Sequence, residues 1–244
     1  MEACENTIRL EIYRWEPRRE PRPRFQFFHR PWQSRLTVLG LLQEVYEEHD
    51  SSLAFRSSCR EGICGACAML VNGRYRLACA TPVADLGTKC ITVAPLPRLR
   101  VIKDLVVDLE PFWRAHEAVR PYLTPPSGPP GGREFLQSPR DRERMGQAIA
   151  CILCGSCFSA CPTHWTGKHD LGPAALTRTF RFYADSRDGD GAARLARADR
   201  GLWRCRYALN CTDACPRNVN PAHHIRELRR QAVRSWLGRV TRRT

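Results

Sequence analysis

The chain has 244 residues, 43% of them hydrophobic, which is enough to build one or two real cores and excludes a disordered tail. Its formal charge is +14, carried almost wholly by Arg, a balance that invites acidic partners. Thirteen Cys would suggest a disulfide scaffold in a secreted protein, but residues 1–35 hold no basic, then apolar, then small-residue leader pattern. The expectation is therefore a reducing, cytosolic compartment, and no run of 18 apolar residues suggests a bilayer span.

Thr7-Ile8-Arg9-Leu10-Glu11-Ile12-Tyr13-Arg14 alternates apolar and polar residues, which predicts a half-buried strand. After a Pro- and Arg-rich turn, Phe25-Gln26-Phe27-Phe28-His29 predicts a second. Thr37 is placed to cap a helix with Leu39, Leu42, Val45 and Tyr46 at helical spacing. Strand, strand and helix begin a β-grasp domain. Val71-Asn72-Gly73-Arg74 predicts a type I′ hairpin, and Ile91-Thr92-Val93 can close the sheet.

Inside that frame stand Cys59, Cys64, Cys67 and Cys79, a C-x4-C-x2-C…C pattern that is the plant-type [2Fe–2S] spacing. Three thiolates within nine residues must face one small cluster, so the loop has to fold back with its amides inward. Gly62 and Gly65 can take the positive φ this needs, and inward N–H groups stabilise a negative cluster. A zinc knuckle is the alternative. Cys4 and Cys90 fit no cluster pattern and are expected to be an exposed tail thiol and a buried small hydrophobe.

Residues 102–113 are expected to connect, mainly as helix, and residues 121–132, rich in Pro and Gly, cannot be regular. Helical patterns follow over 140–150, 171–184, 192–198 and 221–233, alternating with Cys-rich loops, so this half is expected to be α-helical. The first loop, Cys151-Ile152-Leu153-Cys154-Gly155-Ser156-Cys157-Phe158-Ser159-Ala160-Cys161-Pro162, has the C-x2-C-x2-C-x3-C-P spacing of two-cluster ferredoxins. There the fourth Cys ligates the other cluster, which requires a second run. It is Cys205-Arg206-Tyr207-Ala208-Leu209-Asn210-Cys211-Thr212-Asp213-Ala214-Cys215-Pro216, with Ala208 where the second Cys would stand.

Crossed ligation assigns Cys151, Cys154, Cys157 and Cys215 to a [4Fe–4S] cluster. Cys161, Cys205 and Cys211 remain for the other site, whose missing thiolate favours [3Fe–4S]. Zinc needs two pairs per tetrahedral site, and seven Cys fit that poorly. Three oxidised clusters carry about −2 each with their thiolates, about −6 together, which brings the net charge to about +8. What remains suits an acidic subunit or anionic lipid. The C-terminal residues Arg226, Arg229, Arg230, Arg234, Arg239, Arg242 and Arg243 form either a solvated face or a docking surface for phosphate headgroups.

The order of these motifs resembles the iron–sulfur subunit of succinate:quinone oxidoreductase and fumarate reductase over nearly the whole chain. Carrying the resemblance are Ser58-Cys59-Arg60-Glu61-Gly62-Ile63-Cys64-Gly65, Asn72-Gly73, Leu77-Ala78-Cys79, Leu171-Gly172-Pro173-Ala174-Ala175, Asn210-Cys211-Thr212 and Cys215-Pro216-Arg217-Asn218-Val219-Asn220-Pro221. It implies an α+β chain: a β-grasp plant-type [2Fe–2S] ferredoxin domain over 1–110, then an α-helical two-cluster ferredoxin-like domain over 111–244. It also implies a flavoprotein partner with covalent FAD, membrane anchor subunits with or without haem b, and a place at the cytoplasmic face of the membrane.

Electrons would pass from [2Fe–2S] through [4Fe–4S] to [3Fe–4S] and on to ubiquinone or menaquinone. No catalytic residue is expected, because no nucleophile, phosphate loop or carboxylate pair stands out; the succinate chemistry would reside in the flavoprotein. The quinone pocket implied is Pro162, Trp165 and Arg206. The sequence departs from the family's ubiquinone-reducing pattern here. It reads Cys161-Pro162-Thr163-His164-Trp165-Thr166, with one Trp kept of two, and has Arg206 where His is common. Arg cannot deliver a proton at neutral pH; His164 is either a residue for that task or a hydrogen-bonding surface residue. Fumarate reduction is the alternative direction, and a soluble iron–sulfur carrier the alternative class. No recognition module for nucleic acid is found.

Overall fold

The structure is a computed structural model that describes residues 7–33, 35–166 and 171–240. Cys4, Arg242 and Arg243 lie outside the described residues, as does the side chain of Arg239. The chain divides into two compact units: Met1–Leu109 with Ile152–Ser159, and Glu110–Cys151 with Ala160–Thr244. The expected domains, 1–110 and 111–244, do not include this return of the chain to the first unit. Most of the first Cys run belongs with the N-terminal unit.

In the first unit, β1 (Thr7–Arg14) lies between antiparallel β2 (Arg24–Pro31) and parallel β5 (Cys90–Ala94). The hairpin of β3 (Ala68–Val71) and β4 (Arg74–Leu77) completes the order β2-β1-β5-β3-β4. Period-two alternation turns Ile8, Leu10 and Ile12 of β1 into the core, where they join Ile91 and Val93. Against these packs α1 (Val38–Glu48) through Val38, Leu39, Leu41, Leu42 and Val45. The Thr37 side chain accepts the Gly40 N–H at 3.1 Å, the expected N-cap.

Both residues of the β3–β4 turn are left-handed, Asn72 at φ 49° and Gly73 at φ 72°, as a type I′ turn requires. Cys90 corrects its expectation. It opens β5 on the outward side of the strand's alternation and is exposed.

A second correction concerns residues 102–113. A small hairpin of β6 (Val101–Lys103) and β7 (Val106–Val107) precedes α2 (Glu110–Ala118). The β-branched pairs favour strands, and the turn is fixed by tertiary contacts. Buried Asp104 accepts from Arg14 Nε at 3.1 Å, Trp15 N at 3.0 Å and Ala54 N at 2.9 Å.

The second unit is helical as expected. It is built from α2, α3 (Pro139–Met145), α5 (Pro162–Thr166), α6 (Gly172–Tyr183), α7 (Gly191–Leu202), α8 (Asn210–Asp213) and α9 (Pro221–Val240), while α4 (Ser156–Ser159) lies in the first unit. Central to it is α6, eight of whose twelve residues are buried, packed against α2, α7 and α9. Phe112, Leu176, Phe182, Leu195, Leu202, Ile225 and Leu228 fill the space between them.

The irregular, Pro-rich stretch is tied down through Arg194, whose side chain is fully buried. Its guanidinium pairs with Asp188 and donates to the carbonyls of Arg120 at 3.0 Å and Tyr122 at 2.7 Å. Asp188 is itself 1% exposed. Replacing Arg194 with Met should therefore strand a buried carboxylate and destabilise the chain by about 3–5 kcal/mol in denaturant unfolding. Burial opposes ionisation of Asp188, yet hydrogen bonds from Arg194 and from the Thr124 and Asp190 amides, with the Arg194 charge, together outweigh it and hold the carboxyl below its ordinary range. This contribution is present above the unfolded carboxylate pKa of about 3.9 and lost as pH falls through the lower folded value. The variant should lose the share of that acid-side dependence that Arg194 supplies.

Candidate metal centres

Cys67 precedes β3 directly, and Cys79 follows β4 in the 3-10 turn Ala78–Ala80. The β3–β4 register pairs Ala68 with Leu77, so the hairpin brings the two sulfurs to 3.2 Å. The loop carrying Cys59 and Cys64 folds back over them. It does so with Arg60 at φ 62°, Gly62 at φ 71° and Gly65 at φ 75°.

The inward amides are present. Cys59 Sγ accepts from the N–H groups of Glu61 at 3.5 Å, Ile63 at 3.3 Å and Cys64 at 3.2 Å. Gly62 N–H reaches Cys79 Sγ at 3.1 Å, and Cys79 N–H reaches Cys67 Sγ at 3.5 Å. These donors, led by Glu61 N–H, pull the Cys59 thiol down to about 6, whereas burial pushes Cys67 up to about 12. One thiol is already stabilised as thiolate; the buried one needs a cation to ionise. Among the described residues no group of three or more His, Cys, Asp and Glu gathers as a single-ion site. The donor set and the amide cage fit a [2Fe–2S] cluster.

Gly65 also meets the other Cys run. A Cβ there would lie 2.8 Å from Cys154 Cβ and 2.9 Å from its Cα. Ile152 and Cys154 pack on the core of this unit, and Ser159 Oγ donates to Pro97 O at 2.5 Å. Cys154 and Cys157 are thus held in the N-terminal unit, while Cys151 and Cys215 belong to the second. In that second unit Cys215 Sγ accepts the Val219 N–H at 3.3 Å.

Cys161, Cys205 and Cys211 line one cavity in the second unit, together with Pro162, Arg206 and Ala208. Cys211 is pushed up to about 11, first by burial and then by the proximity of Cys161 and Cys205. The two Cys runs share a backbone path. Leu153 and Gly155 have φ of 56° and 81°, and the corresponding Tyr207 and Leu209 have 54° and 63°. Ala208 therefore occupies the place that Cys154 takes in the first run, and its methyl group offers no ligand. Three thiols and a blank corner fit [3Fe–4S]. Trp165, in contrast, is 42% exposed and does not line this cavity.

Sequence reasoning left Arg229 on a basic surface. The structure makes it a clamp, donating to the carbonyls of Leu202 at 2.7 Å and Cys205 at 2.8 Å, with its guanidinium over the rings of Trp203 and Tyr207. Its spacing from Leu228 and Ile225 on the buried face of α9 was the available signal.

The family comparisons agree with both halves. The 2Fe-2S iron-sulfur cluster binding domain matches residues 9–114, and the 4Fe-4S dicluster domain matches residues 147–219. The succinate dehydrogenase iron-sulfur subunit of Paracoccus denitrificans is 39% identical over 236 residues, covering 95% of this chain and 90% of the relative. This chain belongs to the succinate dehydrogenase iron–sulfur subunit family. A mitochondrial succinate dehydrogenase (ubiquinone) iron-sulfur subunit 3 of Arabidopsis thaliana is 39% identical over 226 residues, covering 90% of this chain and 73% of the relative.

A chain in the structure of the Mycobacterium smegmatis Sdh1 complex in the apo form has the same fold. The TM-score is 0.82 at 24% identity, over 95% of this chain and 98% of that one. As a member of the family, the chain is the electron-transfer subunit of succinate:quinone oxidoreductase, and its two domains bind [2Fe–2S] and [4Fe–4S] clusters. Among the described residues, no helix is long and apolar enough to cross a membrane.

Proposed function

We propose that this subunit receives electrons from an FAD-bearing flavoprotein that oxidises succinate and delivers them to ubiquinone or menaquinone held with membrane anchor subunits, with or without haem b. The chain would lie peripherally at the cytoplasmic face of the membrane. When bound, its [2Fe–2S], [4Fe–4S] and [3Fe–4S] clusters would store and pass single electrons between those ends. Cys59, Cys64, Cys67 and Cys79 would hold the first; Cys151, Cys154, Cys157 and Cys215 the second; Cys161, Cys205 and Cys211 the third.

The protein groups around these thiols set the direction of charge. Amides of Glu61, Gly62, Ile63 and Cys64 point at sulfur and stabilise negative charge in the first loop. Close contact at Gly65 keeps the Cys154 loop against it, as short electron steps need.

The observation that carries the quinone end is the cavity of Cys161, Cys205 and Cys211, with Pro162 and Arg206 in its lining. Arg206 can donate charge-assisted hydrogen bonds to a quinone oxygen as it gains electron density, and Trp165, exposed on α5, offers a flat apolar face. A charge-assisted hydrogen bond contributes about 1.5–3 kcal/mol. Replacing Arg206 with Ala should thus lower succinate-to-quinone turnover about 10- to 100-fold while sparing succinate oxidation by a dye that accepts electrons upstream. Equal loss of both activities would assign Arg206 to holding the subunit in its complex.

A further inference from the structure

Buried and half-buried arginines crowd α6, α7 and the loop between them, and four are balanced by carboxylates. Arg181 and Arg187 share Asp185, Arg194 pairs with Asp188, and Arg197 with Asp190. Arg178, on α6, has no carboxylate in ion-pair range among the described residues. Its guanidinium instead donates to the carbonyl oxygen of Cys151 at 3.3 Å, and its Nε–H is shielded from water without a hydrogen-bond partner. The neighbouring His116 Nδ1 is shielded and unpartnered too. Burial first, and the Arg178 charge second, keep His116 below its ordinary pKa, and an imidazole, neutral or protonated, supplies no negative charge to balance Arg178.

A half-buried cation without a counter-ion is costly, and this one is placed at the first residue of a cluster-binding run. We propose that Arg178 is the counter-charge of the [4Fe–4S] cluster ligated by Cys151 and raises that cluster's reduction potential. The proposal rests on the reading of Cys151 as a ligand. Such a cluster with four thiolates gains a further negative charge on reduction, so a fixed cation favours the reduced state. Arg keeps its proton at any working pH, which makes the contribution constant. Its place beside the Cys151 carbonyl lets it act without being a ligand.

The test is an EPR-monitored redox titration of the assembled complex carrying Arg178→Gln or Arg178→Lys. Gln can still donate to the Cys151 carbonyl but carries no charge, and Lys keeps the charge. In R178Q the [4Fe–4S] couple should shift to lower potential by about tenfold in its equilibrium constant, about 59 mV for one electron, while R178K stays near the parent. Loss of the cluster in R178Q alone, with R178K at the parent potential, also supports the charge role. An unchanged potential in R178Q, equal shifts in both variants, or loss of the cluster from both with [2Fe–2S] retained would overturn it, the last making Arg178 a structural clamp. Failure of the underlying reading is separately visible, because a Cys151→Ala complex would then keep its [4Fe–4S] signal.

Discussion

Replacing Ala208 with Cys should convert the third site from the proposed [3Fe–4S] to [4Fe–4S]. The backbone argument is specific: Tyr207 and Leu209 repeat the left-handed conformations of Leu153 and Gly155, so a side chain at 208 starts where that of Cys154 starts in the first run. Ala208 already shares a cavity with Cys161, Cys205 and Cys211, and is exposed, so one added sulfur meets no packed core. A fourth thiolate adds negative charge to the site and lowers its potential. Since each 59 mV is about tenfold in a one-electron equilibrium, quinone reduction should slow by about tenfold or more while the flavin half-reaction is unchanged. EPR of the oxidised complex decides it. An undiminished [3Fe–4S] signal in the variant would show that the ligand set Cys161, Cys205 and Cys211 is wrong.

Replacing Gly65 with Ala should damage two cysteine loops with one methyl group. At φ 75° an L-residue costs about 1–2 kcal/mol. The new Cβ would also press on Cys154 at 2.8 Å and on its Cα at 2.9 Å, backbone that cannot swing aside, adding about 1–3 kcal/mol. Together these predict a loss of about 2–5 kcal/mol, with the [2Fe–2S] visible absorbance falling in parallel. Gly73 is the internal control. Its φ is 72°, but nothing lies within 4 Å of its missing Cβ, so Gly73→Ala should show only the smaller conformational cost. Equal stability losses in the two variants would remove the steric part of the argument.

Local chemistry was legible wherever a loop must satisfy itself. Four thiols at C-x4-C-x2-C…C demand inward amides and left-handed glycines, and these exist at Cys59, Gly62 and Gly65. Asn72-Gly73 determined its turn because few other residue pairs accept two positive φ values. Alternation in Thr7–Arg14 determined which face of β1 is buried.

What the sequence could not show depends on partners distant along the chain. Residues 102–113 begin with a hairpin because Asp104 meets Arg14, Trp15 and Ala54. Arg178, Arg194 and Arg229 look alike in a chain so rich in Arg, yet one meets Cys151, one is buried on Asp188 and one clamps Cys205. Ile152–Ser159 joins the N-terminal unit because Ile152 and Cys154 find apolar neighbours there. Spacing along the chain determined which thiols, amides and turns could serve a cluster. Tertiary packing alone decided which charges stand beside them, because an arginine's role follows from the acceptor it reaches.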